Sequence, residues 1–351
     1  MLGLGAYTSE WFESAPAPDD EGEVLIIQID SKATPTVRES ELQKRRGKRS
    51  AKVPAPSPRH RGRIARGRRG RRERRKPGDK SKNGRMATLV VMYTLKESEA
   101  DDGSPLLLGP LNRRIYASYA PKRHAVAIAK REAEKRGFGE NSGKRVQVIT
   151  DGDEDLQRYV RELLPHATHT LDVIHVVERL WGVAACLFQR GDSELEEWVE
   201  NQKTALYTGR VHEVIAEIEG RLRQLPADGR RDTIRSHLNY LRKRTHMMNY
   251  GELAAADLEL ASGVVEGAVR FVIAQRFDEG GMRWIRERAE ALLQLRCIDI
   301  NGDWDDFLAF VDKRLNDQQK RRLRPLRLLR TEPKPLPDYV LLPNAVHPQT
   351  S

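Results

Sequence analysis

Aliphatic and β-branched runs alternate with helix-period segments along the first half of the chain. Glu23–Asp30 (EVLIIQID) is a short apolar run ending in an aspartate and predicts a buried strand. Ala87–Thr94 and Asn112–Tyr119 predict two more, arranged as a meander. Pro121–Arg136 carries alanine, valine and isoleucine at helical spacing, with Gly137 as a stop. Arg145–Asp151 is another apolar strand ending in an aspartate, and Gly152 allows a tight turn into a helix over Leu156–Leu164. His169–His175 repeats the pattern as a strand running into a helix over Val176–Phe188. Three strands followed by alternating helices and strands predict a mixed α/β sheet.

Beyond Arg190 the strands stop. Amphipathic helices are predicted over Ser193–Tyr207, Val211–Leu225 and Asp232–Tyr250, which together read as an all-helical insertion. Ser262–Ala274 is an apolar helix suited to return the chain to the sheet, with Ser262 as its N-cap. A helix over Met282–Arg296 leads to the acidic, aromatic NGDWDDF segment at 301–307. The expected organisation is an N-terminal remnant at 1–22 and a first core part at 23–190, containing a loop at 38–85. A helical insertion at 191–258, a last core part at 259–312 and a basic, proline-rich tail at 313–351, whose proline-rich end is expected to be poorly ordered, complete it.

Charge sharpens this outline. The net charge is +11, yet residues 41–85 alone hold 20 Lys/Arg against three acids, or +17, leaving 11 − 17 = −6 for the rest. Proline, glycine and like-charge repulsion oppose compaction there and predict a disordered basic loop. Such a segment binds nucleic-acid phosphates through counterion release without sequence preference, although a localisation or solubility arm has the same composition. It contains no aromatic residue for base stacking, so it does not distinguish DNA from RNA. No apolar stretch approaches the roughly 18 residues of a membrane span, and the N-terminus lacks a signal-peptide pattern, so an intracellular protein with no membrane partner is expected. Two cysteines, Cys186 and Cys297, support neither a disulfide framework nor a four-thiolate zinc site and read as core residues.

The candidate chemistry lies in acids. Asp30 and Asp151 end the first and fourth strands, and Glu266 stands in the first turns of the helix after the insertion. If the first and fourth strands are neighbours, the two aspartates face one another and a crossing helix can bring the glutamate alongside. Such a cluster suits magnesium, since hard cations take oxygen ligands and two of them can serve an in-line displacement at phosphorus. Each acid has a plain alternative. A strand-end aspartate is commonly a turn former or helix cap, and Glu266 could pair with Arg270 one turn on. Asp153, Glu154 and Asp155 compete with Asp151 for its place. His246, Met247 and Met248 read as packing residues.

Several blocks resemble bacterial insertion-sequence transposases of the Kra group, distant cousins of the Mutator-like elements. These are IQIDSKATPT, VQVITDGDEDL, LDVIHVVERLW and, most specifically, SGVVEGAVRFVIAQRFDEGGMRWIRERAEALLQLRCIDINGDWDDF, and the resemblance runs from about Glu23 to about Arg314. It implies an RNase H-like mixed sheet with an all-helical insertion and a two-metal DNA transposase that cleaves and joins strands at element ends. It further implies Asp30, Asp151 and Glu266 as the catalytic carboxylates and ligands of two magnesium ions, which manganese can replace. The implied partner is DNA, bound by a homo-oligomer in the cytoplasm at the nucleoid. Asp172 and His175 resemble the Asp-x-x-His pair that follows the second aspartate in this superfamily. His175 then lies near the scissile phosphate or orients a ligand; the alternative is a buried histidine fixed by Asp172. Two departures keep open the alternative of a truncated remnant that only binds DNA, or of a chain whose start was assigned late. Only 22 residues precede the first strand where relatives carry a sizeable end-recognition region, and Ser31-Lys32-Ala33 follows Asp30 where relatives generally have glycine.

Overall fold

The computed structural model describes residues 4–18, 20–40, 43, 84–101, 103, 105–189, 191–279 and 284–328. Most of the expected basic loop, residues 41–42 and 44–83, lies outside them, as does the tail from residue 329. The chain divides into two compact units, Met1–Asp303 and Trp304–Ser351. In the second, a single helix spans Trp304–Leu328 and takes in most of the basic cluster at its end; the proline-rich end lies outside the described residues.

The first unit is built on a mixed sheet. Strands β1 (Val24–Val37), β2 (Gly84–Glu99), β3 (Pro105–Ser118), β4 (Arg145–Thr150) and β5 (Thr168–Leu171) lie in the order β3-β2-β1-β4-β5. The first three are antiparallel, whereas β4 and β5 run parallel to β1. The first and fourth strands are therefore neighbours. β1 does not end at Asp30: it continues to Val37, because β2 offers it backbone partners from Leu89 back to Gly84 and because Thr34, Thr36 and Val37 suit a buried strand. Its parallel pairing with β4 does stop there, the last pair being Ile29 with Thr150.

Period-two alternation splits the strands between two cores. Leu25, Ile27, Ile29, Val146 and Val148 pack with α2 (Lys122–Lys135) and α3 (Glu154–Leu163). Val24, Ile26, Leu89, Val91, Tyr93 and Ile149 face α9 (Gly263–Ala268), a π-helical turn (Val269–Ala274), α10 (Gln275–Phe277) and α11 (Arg286–Ile300). The residues expected to form an N-terminal remnant include α1 (Leu4–Ser14), with Trp11 buried and the hydroxyls of Thr8 and Ser9 donating to Gln294 of α11.

A third core closes the helical insertion: α4 (Val173–Leu187), α5 (Ser193–Tyr207), α6 (Val211–Gln224), α7 (Gly229–Arg242) and α8 (Tyr250–Ala255) share it. Two expectations change here. β5 stops at Leu171, since Asp172 caps α4 through Ile174 N, so His175 lies on a helix rather than a strand. The single helix expected over Asp232–Tyr250 is broken into α7, a 3₁₀ turn (Thr245–Met247) and α8, with Arg244 buried at the break.

The chain returns to the sheet along a buried polar seam. The Gln147 amide holds both backbone groups of Glu259, accepting from its N–H at 3.2 Å and donating to its carbonyl at 2.7 Å. Gln28 donates to Tyr93 Oη at 3.1 Å and to the Ala261 carbonyl at 3.4 Å, while accepting from Val265 N at 3.0 Å. Tyr93 in turn donates to Glu259 at 3.0 Å. Two glutamines within otherwise apolar strands thus replace a missing strand neighbour for the segment that carries Glu266.

Gln28→Ala leaves Val265 N and Tyr93 Oη without their buried partner and is expected to destabilise the chain by about 2–3 kcal/mol, read as a lowered denaturant midpoint. His169 on β5 gives a pH signature. Burial, with Arg161 and His246 nearby, lowers its pKa from 6.5 to about 4, and its Nε2 lies 2.9 Å from Thr150 Oγ1. The folded state then binds fewer protons than the unfolded one between those values. Stability is full above pH 6.5 and is lost as pH falls towards 4, by up to about 2–3 kcal/mol. His169→Gln is expected to flatten that part of the stability-versus-pH curve.

Candidate active site

Asp30 and Asp151 follow the last paired residues of adjacent parallel strands, at the carboxyl edge where open α/β sheets bind ligands. Alternation sends both towards the face covered by α9: Asp30 follows Val24, Ile26 and Gln28, and Asp151 follows Gln147 and Ile149. Glu266 lies on α9 itself, one residue beyond the amide that Gln28 holds. The charges of Asp151 and Glu266 both act on Asp30. Burial pushes Asp30 up to about 6; the Ser31 amide and His175 oppose the rise, and the charges of Asp151 and Glu266 add to it. Burial also raises Asp151, against the pull of the Asp153 amide, His175 and Lys122. Glu266 is raised by burial and by the charges of Asp172 and Glu178, with His175 opposing.

Among the described residues, one group of three metal-type side chains has donor atoms all within 4.8 Å of one another: Asp172, His175 and Glu266. Asp30 and Asp151 stand outside that group. Asp172 is fully buried and already saturated: it accepts from Ile174 N at 2.9 Å, Ser262 N at 3.3 Å, His175 Nδ1 at 2.9 Å and the Ser262 hydroxyl. Burial alone would raise its pKa, but the bonds from His175, Ser262 and Ile174 outweigh it and hold it below the ordinary value. Its carboxylate is thus an orienting group. The Asp172 hydrogen bond and charge raise His175 to about 9, so the ring is protonated at neutral pH and presents a cation to the acids around it. A protonated imidazole has no lone pair for a metal.

The alternatives to these residues are engaged elsewhere. Asp153 caps α3 by accepting from Leu156 N at 3.0 Å and pairs with Lys122; Asp155 pairs with Arg158, and Glu154 lies near Lys243 and Arg244. Asp151 Oδ1 accepts from Asp153 N at 3.0 Å, which closes the turn and fixes the carboxylate's direction. Among the described residues Glu266 forms no ion pair with Arg270, and the Ser262 hydroxyl turns to Asp172 instead of capping α9. Of the residues expected to pack, Met247 and Met248 are buried, whereas His246 is exposed and so is not a packing residue.

The insertion reaches the site through the Asp151 turn. A Cβ on Gly152 would lie 2.2 Å from Tyr240 Oη of α7, so only glycine lets that ring approach. Arg244 donates to the Gly152 carbonyl at 2.7 Å and stacks on Tyr240, its guanidinium carbon 4.2 Å from the ring centroid. Arg179 of α4 stacks on the same ring at 4.3 Å. Tyr240 and Arg244 carry no motif, and Gln28, Gln147 and Ser262 lie within the quoted blocks without a residue type that marks a site. The signal available was a glutamine interrupting each of the apolar strands β1 and β4.

No protein-family model matches the chain, and no curated protein does. Among solved structures it is similar to the Drosophila P element transposase strand transfer complex, with 8% identity over 83% of this chain and 80% of that chain and a TM-score of 0.33, a likeness too distant to carry inference.

Proposed function

We propose that the chain is a DNA transposase of the three-carboxylate type, with an RNase H-like catalytic core and a helical insertion. What supports this reading is that Asp30, at the carboxyl edge of the sheet, lies within electrostatic reach of Asp151 and Glu266, and that burial raises the pKa of all three acids. Acids assembled against their own repulsion suit a ligand of opposite charge. The sequence blocks that resemble Kra-group transposases and the +17 segment at 41–85 add a polynucleotide as the substrate.

The donor set fits divalent cations. Among the described residues the Asp30 side chain accepts a hydrogen bond from the Ser31 amide alone, at 2.6 Å, and the Glu266 carboxylate accepts none. Their lone pairs are available, and both ends of the set are oxygen. Asp30, Asp151 and Glu266 would hold the ions; Asp172, with its bonds filled, holds His175. When bound, a pair of magnesium or manganese ions supplies activation of the attacking oxygen and charge neutralisation at phosphorus. The chain's own contributions are three carboxylates fixed by two strands and a helix, and an imidazolium. His175 gives Nδ1 to Asp172 and has Nε2–H left for a phosphate oxygen.

Glu266→Gln tests the assignment: it keeps shape but removes a charge. Metal-dependent cleavage and joining of DNA carrying the element's ends is expected to fall at least about 100-fold, with DNA affinity unchanged. Equal activity in the variant would sink the ligand role, and a wild-type chain that binds DNA but never cuts it would favour a binding remnant. His175 supplies a second reading of the same charges. Its ring titrates near pH 9 without metal, and Asp172→Asn is expected to move that midpoint down, because the dominant hydrogen bond and charge are lost. Added magnesium is expected to lower it too, by neutralising the neighbouring acids; both shifts are readable by NMR of the imidazole.

A further inference from the structure

We propose that Arg179, held flat against Tyr240, binds a backbone phosphate of the DNA strand beside the Asp151 turn. This rests on the reading of the chain as a DNA-processing enzyme. Arg179 lies one helical turn beyond His175 on α4, so both point from the same face of the helix. Two guanidinium groups lie over the Tyr240 ring, Arg179 at 4.3 Å and Arg244 at 4.2 Å from its centroid. The ring lies close enough to Asp151 for that carboxylate to raise the phenol, although burial is the main cause of the rise. Arg179, Tyr240 and Asp151 therefore form one neighbourhood.

The two arginines differ in what neutralises them. Arg244 is buried, donates to the carbonyls of Gly152 and Tyr240 and has Glu154 at 3.7 Å, so it is a structural brace. Arg179 is half-buried and, among the described residues, forms no ion pair. Ion pairs elsewhere on the insertion occupy Arg210, Arg221, Arg230, Arg235 and Arg242. A guanidinium fixed by stacking, unpaired and next to a second cation is held there at an electrostatic cost that an anion removes. Its planar fork matches two oxygens of a phosphodiester, and stacking preorganises it so that little side-chain entropy is lost on binding. The aromatic face keeps the fork oriented, a task that a lysine in the same place could not share.

Equilibrium binding of a short duplex to the full chain, in EDTA so that nothing is cut, tests this. Arg179→Gln is expected to lower the slope of log K against log salt by about 0.9 and the affinity about five-fold near 0.15 M salt. Arg179→Lys keeps the charge and should retain most of the slope. Arg123→Gln, at an exposed arginine on α2 paired with Glu162 at 2.5 Å, should change neither and serves as the control. Thermal midpoints equal to wild type exclude misfolding as the cause. An unchanged slope in a folded Arg179→Gln chain, or an equal loss in Arg123→Gln, overturns the assignment. The outcomes separate from those for the carboxylates. A chain that binds through Arg179 but never cuts fails the proposed chemistry alone, and a chain that cuts normally with Arg179→Gln fails this inference alone.

Discussion

A carboxylate with no access to water has to be surrounded by donors, and the burial of Asp172 obliges distant pieces of chain to meet. Leaving such a charge unpaired costs several kcal/mol. Its four donors come from its own helix, from His175 one turn on, and from both the amide and the hydroxyl of Ser262, ninety residues further along. One group thereby ends β5, starts α4, turns the imidazole and pins the segment that enters α9. The place of Glu266 follows from this anchor and from the Gln28 bond to Val265 N. The carboxylate most buried at the site is thus the least available for chemistry, and the ones around it are freed by its work.

The electrostatics follow the same division. Asp172 is driven down by filled hydrogen bonds, whereas Asp30, Asp151 and Glu266 are driven up by burial, with the charge of a neighbouring acid adding to each rise. His175 stands between the two sets: Asp172 holds its proton, and its charge lowers all three of the frustrated acids. The acids therefore share one partial counterion, and it is not enough to bring any of the three back to its ordinary value. That residual imbalance is what a dication with oxygen ligands can remove. His175 also belongs, with Asp172 and Glu266, to the described group whose donor atoms lie within 4.8 Å of one another.

Much of this was legible in sequence, for physical reasons that differ by element. Apolar runs over 24–29 and 146–149 predict β1 and β4, because strands buried on both faces cannot alternate. The aspartates that end those runs mark the end of the parallel pairing. The extension of β1 to Val37 was hidden, since its hydrogen bonds come from a partner strand that starts after a segment of forty-odd residues. The break after Arg242 was hidden too. No glycine or proline announces it, and only the tertiary pull of Gly152 on Arg244 does. Ser262 has the residue type of a helix cap and was read so; the buried Asp172 outbid the helix for its hydroxyl.

The helical insertion is tied to the chemistry by a close contact rather than by proximity alone. Asp151 points where it does because its turn is closed by the Asp153 amide on one side and clamped by Tyr240 and Arg244 on the other. Tyr240 and Arg244 belong to the insertion, whose core of Val214, Ile218, Ile234, Leu238 and Leu241 packs on α4. α4 in turn carries His175 and Arg179. A disturbance of that core therefore reaches the site along two rigid routes, through α4 to His175 and through α7 to the Asp151 turn. The sheet edge supplies the carboxylates, but their directions depend on helices folded some ninety residues away, which makes the insertion part of the site's architecture rather than an appendage to it.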